Sequence, residues 1–506
     1  MSEHLVRESL SPDMEVLGKD EISAKYRSSS LGIDRATAGV IFPENAEHIQ
    51  KILKLAHAHK LLLYPVSVGN NWGYGGSLPI KDGSWVVNLK KMKGISEFNE
   101  ELGTITLEPG VTQQDLYEFL FANGNSWLVP TTGAGPRASI MGNALERGYG
   151  LTPHFDHFRA VHDLEVILAD GSLWQSNFRA RGALDINAAY PWDIGPSLTG
   201  IFSQSNFGIV VKATISLHRR AEEIGMFVKK LKAENLKDAV VEIRQIKRDL
   251  GSLCGGINLM NESRMKAMLK SDQPETNTTW TIAGNYYGPT GVNKLVRRVL
   301  SRVGTGYKIY RPYHFNLLDL LYNKFPSFRE TKLGKEYKVV RPGYDIFCGK
   351  PQLVAFPLAY LKHDNPPTSF ETADPDADGC GLIWFTPLIP MDPSKVELVT
   401  DTIHRICKAH GMPPMITLTT LSEKCFDASV PIVFNRRDPS AVKSAQDCLQ
   451  VLHTELSKLG SEPYRLSIGT MNKIFKENQI SPSQILVKKI KNVLDPQNIL
   501  AAGRYE

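Results

Sequence analysis

The sequence predicts an α+β protein of two domains, and three observations point there. The chain has 506 residues, more than the roughly 250–300 that one hydrophobic core supports. Short apolar runs of strand length alternate with amphipathic helical patterns along the whole chain. The texture also changes near residue 220, where strand-rich segments with glycine-dense loops give way to longer amphipathic helices between strands.

The elements follow in order. Asn45 is placed to cap a helix whose apolar face is Ile49, Ile52, Leu53 and Ala56, and the following LLLYPVSVG is short enough for a buried strand. Strands are expected at Trp85 to Leu89 and Thr104 to Leu107. A turn at Glu108 to Gly110 then leads to a helix from near Thr112 with Leu116, Phe119 and Leu120 on one face. Asp170-Gly171, between LEVIL and SLWQ, is a hairpin signal. The segment Gly200 to Leu217 ends in an alternating strand. Beyond it, helices at Asn293 to Val303 and Pro393 to His410 alternate with strands at Thr278 to Ala283 and Leu382 to Thr386. No internal repeat or low-complexity tract interrupts this order.

Composition narrows the function classes. A hydrophobic fraction of 42% with 22% charged residues is that of a globular chain, not a disordered or fibrous one. Lys plus Arg number 59 against 53 for Asp plus Glu, a net +6 that is small over this length and scattered, so no nucleic-acid partner is expected. Lys488 to Lys491 is the nearest approach to a basic cluster. With Ile485, Leu486 and Ile490 beside it, it reads as the solvated face of a helix. There is no run of about 18 apolar residues and no apolar core in the polar start MSEHLVRESLSPD, so neither a membrane span nor a secretory signal is expected and a cytoplasmic location is the default. Cys254, Cys348, Cys380, Cys407, Cys425 and Cys448 form no CxxC pair and no zinc spacing with His. They are read as reduced, mostly buried thiols, and no metal site is expected.

Chemistry concentrates in the glycine-rich SVGNNWGYGGS, Ser67 to Ser77. Gly69, Gly73, Gly75 and Gly76 permit positive backbone dihedrals and close approach of main-chain N–H groups to an anion such as a diphosphate. The loop has neither the Gly-Lys-Ser/Thr of a Walker motif nor the GxGxxG of a Rossmann fingerprint. By itself it is equally a tight turn or a phosphate cradle.

SVGNNWGYGGSLP is followed in order by EPGVTQQDLYEFL, GNALERGYGLTPHFDHF, GIFSQSNFGIVVK, EPYRLS and LDPQNIL. This series resembles the vanillyl alcohol oxidase and 4-cresol dehydrogenase family of FAD-linked oxidases over nearly the whole chain, most specifically in residues 60–220 and 460–500. The resemblance implies a two-lobed PCMH-type FAD-binding domain, formed by residues 1–220 with the returning segment 461–506. An inserted α+β cap domain, residues 221–460, would cover the flavin. It further implies FAD held by Ser67, Gly69, Asn70, Asn71, Gly73, Gly75, Gly76 and Ser77 around the diphosphate, and by Thr132, Gly133, Gly142, Asn143 and Gly148 along the flavin. Ser203, Gly208, Ile209 and Val210 would serve the adenine-ribose end, and Arg504 would join from the C-terminal tail. Backbone donors on this wall would stabilise negative charge on reduced flavin.

The same resemblance assigns Tyr74, Tyr464 and Arg465 to phenol binding and Asp156 to hydride transfer and water activation. The chemistry is consistent with those residue types. A phenol of pKa ~10 must give up its proton before the ring pushes hydride from the para-benzylic carbon, and two tyrosine hydroxyls with a permanent guanidinium stabilise the phenolate. A carboxylate enclosed by aromatic walls is tuned toward neutral acid–base work. Two departures stand out. Leu382 in GLIWFTP takes the place of a flavin-tethering histidine, with no His or Tyr from 371 to 390, and Asp427-Ala428 matches the family's adjacent active-site histidines. FAD bound without a covalent link is therefore expected, with His154 or His157 as the alternative anchor.

The expected activity is hydride abstraction from a 4-alkylphenol or 4-hydroxybenzylic alcohol through a quinone methide, with a small aromatic substrate and oxygen or a redox protein as electron acceptor. Two alternatives stay open: a 2-hydroxy-acid dehydrogenase, in which Arg465 clamps a carboxylate, and a flavin-binding partner or tailoring protein with another substrate. Relatives in that family are commonly dimers, which leaves a homodimer open.

Overall fold

The computed structural model describes residues 3–153, 156–269, 278–471 and 480–505. Three sheets organise them. The first contains β1 (Glu15–Gly18), β2 (Gly39–Phe42), β3 (Leu63–Val66) and β4 (Trp85–Asn88) in the order β1-β2-β4-β3. β4 runs parallel to both β2 and β3. Both β2 and β4 are buried at every position, which is why they read as unbroken apolar runs rather than alternation. The crossover between β2 and β3 is α1 (Ala46–His59). Its N-cap Asn45 accepts from the His48 N–H, and Ile49, Ile52, Leu53 and Ala56 are buried as the pattern requires.

The second sheet is antiparallel: β5 (Ile95–Asn99), β6 (Thr104–Leu107), β7 (Val161–Ile167), β8 (Leu173–Trp174) and β9 (Ile209–Ser216), ordered β8-β7-β9-β6-β5. The Asp170-Gly171 hairpin joins β7 to β8, with Gly171 at φ 84° and the Asp170 carboxylate accepting from Ser172. α2 (Gln113–Ala122) starts at Thr112 through a reciprocal capping box with Asp115 and buries Leu116 and Leu120.

The third sheet is larger and wholly antiparallel. It comprises β10 (Glu223–Lys232), β11 (Cys254–Asn261), β12 (Thr279–Gly288), β13 (Lys308–Tyr310), β14 (Cys380–Phe385), β15 (Leu388–Pro390), β16 (Thr417–Thr420) and β17 (Cys425–Asn435). The order is β13-β10-β12-β11-β16-β17-β14, with β15 also on β17. Side chains alternate between its faces. Ile257, Leu259, Ile282, Leu418, Val430 and Ile432 point to one side, into a core shared with α4 (Leu236–Leu250), α6 (Asn293–Val303) and α8 (Pro393–Ala409). Here α5 is Glu262–Leu269 and α7 is Lys332–Phe347. The opposite face of the sheet looks toward the N-terminal sheets.

The C-terminal segment returns to the first sheet. Leu500 bridges to Leu63 in parallel register, and the Ala501 N–H donates to the Leu63 carbonyl at 2.7 Å. One expectation fails here. Lys491 is not on a solvated face: its ammonium donates to the Asp495 carboxylate at 2.7 Å and to the carbonyls of Leu500 (2.8 Å) and Asn206 (2.9 Å). It fastens the returning helix to the loop before β9. The apolar Ile485 and Leu486 are instead exposed, at 47% and 58%. All six cysteines are free thiols and four are buried. Among the described residues, no helix is long and apolar enough to cross a membrane.

Candidate active site

A cavity of about 630 Å³ runs between the N-terminal sheets and the inner face of the large sheet. Its N-terminal wall is largely backbone. Gly69 and Gly76 sit at φ 75° and 57°, and the loop is closed by the Ser77 hydroxyl donating to the Gly69 carbonyl at 3.3 Å. A Cβ on Gly142 would lie 2.3 Å from the Ser67 Oγ, and one on Gly76 would lie 1.8 Å from an Asp376 carboxylate oxygen. Side chains are thus excluded where main chain must face the cavity. A long cleft walled by glycine backbone suits FAD, whose diphosphate and pyrimidine carbonyls take main-chain N–H donors.

Most residues assigned to the cofactor from sequence do line this wall: Ser67, Gly69, Asn70, Asn71, Gly76, Thr132, Gly133, Gly142, Asn143, Gly148, Gly208, Ile209, Val210 and Arg504. Four stand off it. Gly73 and Gly75 are the points where the loop packs against Trp384 and Ile468; a Cβ there would fall 2.3 Å and 2.7 Å from those side chains. Ser77 acts only through the loop-closing bond. The Ser203 hydroxyl accepts from Arg147 at 3.1 Å and donates to the Gly200 carbonyl, while its neighbours Gln204, Ser205 and Asn206 line the cavity.

Tyr74, Tyr464 and Arg465 converge as expected. The Arg465 guanidinium lies over the Tyr74 ring, 3.9 Å from its centroid, and donates to the Asn71 side-chain oxygen. Tyr74 shares a hydrogen bond of 3.2 Å with Thr386. Burial pushes the Tyr74 phenol up to about 12, opposed by the Arg465 charge, and pushes Tyr464 well above its ordinary value. Both phenols are therefore neutral donors near neutrality. Glu146 lies beneath, bonded to Arg504 and 3.8 Å from the Arg465 Nε. Burial would raise its carboxyl, but the Arg504 and Arg465 charges hold it below the usual range. Two cations thus share one carboxylate, leaving net positive charge at this end.

Asp156 does not join them. It pairs through its backbone with Tyr149, its carboxylate accepts from the Arg159 N–H at 3.3 Å, and it is absent from the cavity wall. His157 is buried with Nδ1 2.6 Å from the Asn143 amide oxygen, so it orients a cavity residue without lining the cavity; His154 lies outside the described residues.

A different carboxylate stands on the inner face of the large sheet, buried behind the residues that line the cavity. The rows Val228–Ala283–Asn258–Thr419–Asp427 and Thr281–Met260–Thr417–Ser429 cross the large sheet in register. Asn258, Thr419, Thr281, Met260, Thr417 and Ser429 all line the cavity, which places Asp427 on the same face. Tyr149 donates to Asp427 Oδ2, Ser429 donates to the same oxygen at 3.1 Å, and Oδ1 has no partner among the described residues. Burial drives the Asp427 carboxyl up to about 7 despite those donors. The Tyr149 ring lies 5.9 Å from that of Tyr464, linking this pair to the phenol cluster. Sequence reading noted Asp427 only as a missing histidine, and Tyr149 only as part of a quoted stretch. Their partnership spans 278 residues and has no local signal.

These features define a class: an FAD-dependent oxidoreductase with the PCMH-type FAD-binding fold. The family described as FAD binding domain matches residues 37–177. Among individual proteins, the chain is similar to 1'-carboxy-chondrochloren decarboxylase of Chondromyces crocatus, at 27% identity over 100% of this chain and 98% of that protein. It is also similar to the 4-cresol dehydrogenase [hydroxylating] flavoprotein subunit of Pseudomonas putida, at 24% identity over 97% and 92%. The crystal structure of p-cresol methylhydroxylase with substrate bound superposes with a TM-score of 0.84 at 21% identity, covering 99% of this chain and 95% of that one.

Proposed function

We propose that the protein oxidises a para-substituted phenol, of 4-alkylphenol or 4-hydroxybenzyl alcohol type, through a quinone methide. The observation behind this reading is the Arg465 guanidinium beside two buried, neutral tyrosines in a largely apolar cavity. That set accepts a phenolate: the guanidinium neutralises its charge and the phenols donate to its oxygen. Bound FAD supplies the hydride acceptor. In this reading residues 1–220 and 461–506 hold the cofactor and 221–460 form the cap. Asp427, protonating near neutrality, supplies or takes the proton that the substrate side chain exchanges, in place of the Asp156 expected from sequence.

The cofactor is bound without a covalent link in this reading. Its support is Leu382, which lies on the cavity wall at the place of a tethering histidine, with no His or Tyr from 371 to 390. Acid precipitation should release all FAD into the supernatant; flavin retained in the pellet would contradict it. The activity itself is tested by anaerobic addition of a 4-alkylphenol to the purified yellow enzyme. Bleaching of the flavin is expected, and a flavin that stays oxidised with every para-substituted phenol would overturn the proposal.

A further inference from the structure

Within the same cavity, Arg264 sits on α5 directly after β11. Its guanidinium has no hydrogen bond and no ion pair among the described residues, and its Nη1 is sealed from solvent without a partner. The nearest acid along the helix is committed elsewhere, since Glu262 pairs with Lys266 at 2.5 Å and accepts from the Thr278 N–H at 2.9 Å. Burial alone draws the Arg264 pKa down to about 10. A partly buried guanidinium without a counter-charge among the described residues is completed by an anion.

A second orphan lies on the neighbouring strands. Thr417, in register with Met260 on β11, presents a buried hydroxyl without a partner among the described residues. Met260, Met265 and Met268 line the approach, an adaptable apolar corridor ending at a cation. Thr417 stands in register with Ser429, the donor to Asp427, so it lies one strand away from the Tyr149–Asp427 pair.

Building on the phenol reading, we infer that Arg264 with Thr417 forms a carboxylate subsite, and that the substrate is a 4-hydroxyphenyl compound whose para side chain ends in a carboxylate. The guanidinium fork donates to the carboxylate oxygens and the threonine hydroxyl turns to donate a further bond. The side chain spans the methionine corridor.

The test uses the FAD-bound enzyme and ligands that lack the phenol, so that it stands apart from the proposed activity. Binding of a homologous series of ω-phenylalkanoates and of their primary amides is read from perturbation of the oxidised flavin spectrum. The wild type should prefer acid over amide by about tenfold or more, with a maximum at one chain length, and Arg264→Met should abolish that preference. Arg264→Lys should keep part of it, and Thr417→Val should weaken it. A wild type that binds acid and amide equally overturns the subsite, whatever the variants do. So does an acid preference that survives Arg264→Met, which would put the anion at Arg465. If the preference is found and lost as expected but no phenol reduces the flavin, the subsite stands and the phenol reading falls.

Discussion

The two walls of the cavity are made of different material. The N-terminal wall is main chain exposed by glycine and serine at fixed turns, with Gly69 and Gly76 in the left-handed region and Gly142 against Ser67. The opposing wall is a side-chain surface on a regular antiparallel sheet, where Asn258, Thr419, Ser429 and Asp427 stand in cross-strand rows. The first wall cannot be altered without moving backbone, whereas the second changes one side chain at a time. In the proposed reading, the cofactor lies along the wall that cannot vary, and the side chains of the other wall adjust the substrate end.

That contrast is open to breaking at its strongest point. Gly76→Ala places a Cβ 1.8 Å from an Asp376 oxygen at a positive φ, and the expected outcome is near-complete loss of FAD. The flavin-to-protein absorbance ratio of the purified variant measures it. A variant with full occupancy would show that the loop is less constrained than its geometry indicates.

Changes at the phenol cluster should leave the cofactor in place and slow chemistry. Arg465→Lys should lower the rate of anaerobic flavin reduction by roughly 10²–10³-fold, because a point-charge ammonium loses the planar fork. Stopped-flow reduction beside the visible spectrum of the resting enzyme separates this from a binding defect. An unchanged rate would remove Arg465 from the phenolate site.

The next comparison sets the two aspartates against each other. Asp427→Asn should slow flavin reduction by about 10²-fold, at the lower end of general acid–base assistance, while Asp156→Ala should cost less than about tenfold. The reverse order would restore the carboxylate expected from sequence and make Asp427 a structural group.

The smallest expected effect is on stability. The Asp427 carboxyl titrates near 7 when folded and near 3.8 when unfolded, so folding takes up a proton between those values. The stabilisation of the protonated form is fully present below about pH 4 and is lost as pH rises through 7. Relative to wild type, Asp427→Asn should therefore gain stability from pH 5 to pH 8, by at most a few kcal/mol. Thermal unfolding of both proteins at the two pH values measures it, with Asp376, also raised to about 7 by burial, contributing equally to each. A difference that does not change with pH would mean that Asp427 is already ionised.

Much of the fold was legible because its signals are local. The Asn45 cap, the helix start at Thr112, the Asp170-Gly171 turn and the apolar runs of β3 and β4 each act within a few residues. The glycine wall was legible for the same reason, because a backbone that must adopt a positive φ or approach a neighbour closely leaves glycine in the sequence. Tyr74, Tyr464 and Arg465 came from their motif surroundings, not from any periodicity.

What the tertiary structure alone decided lies in pairs distant along the chain. Tyr149 meets Asp427, Lys491 closes on Asn206, and the Arg264 Nη1 on α5 has no partner among the described residues. Sequence by itself specified where the backbone turns and which residue types are available, because those are properties of short segments. Which aspartate stands on the inner face of the large sheet depends on a register in which a one-residue slip turns every side chain to the other face. Asp156 and Asp427 are equal as letters, and only the packing of the sheets puts Asp427 beside Tyr149 and Ser429.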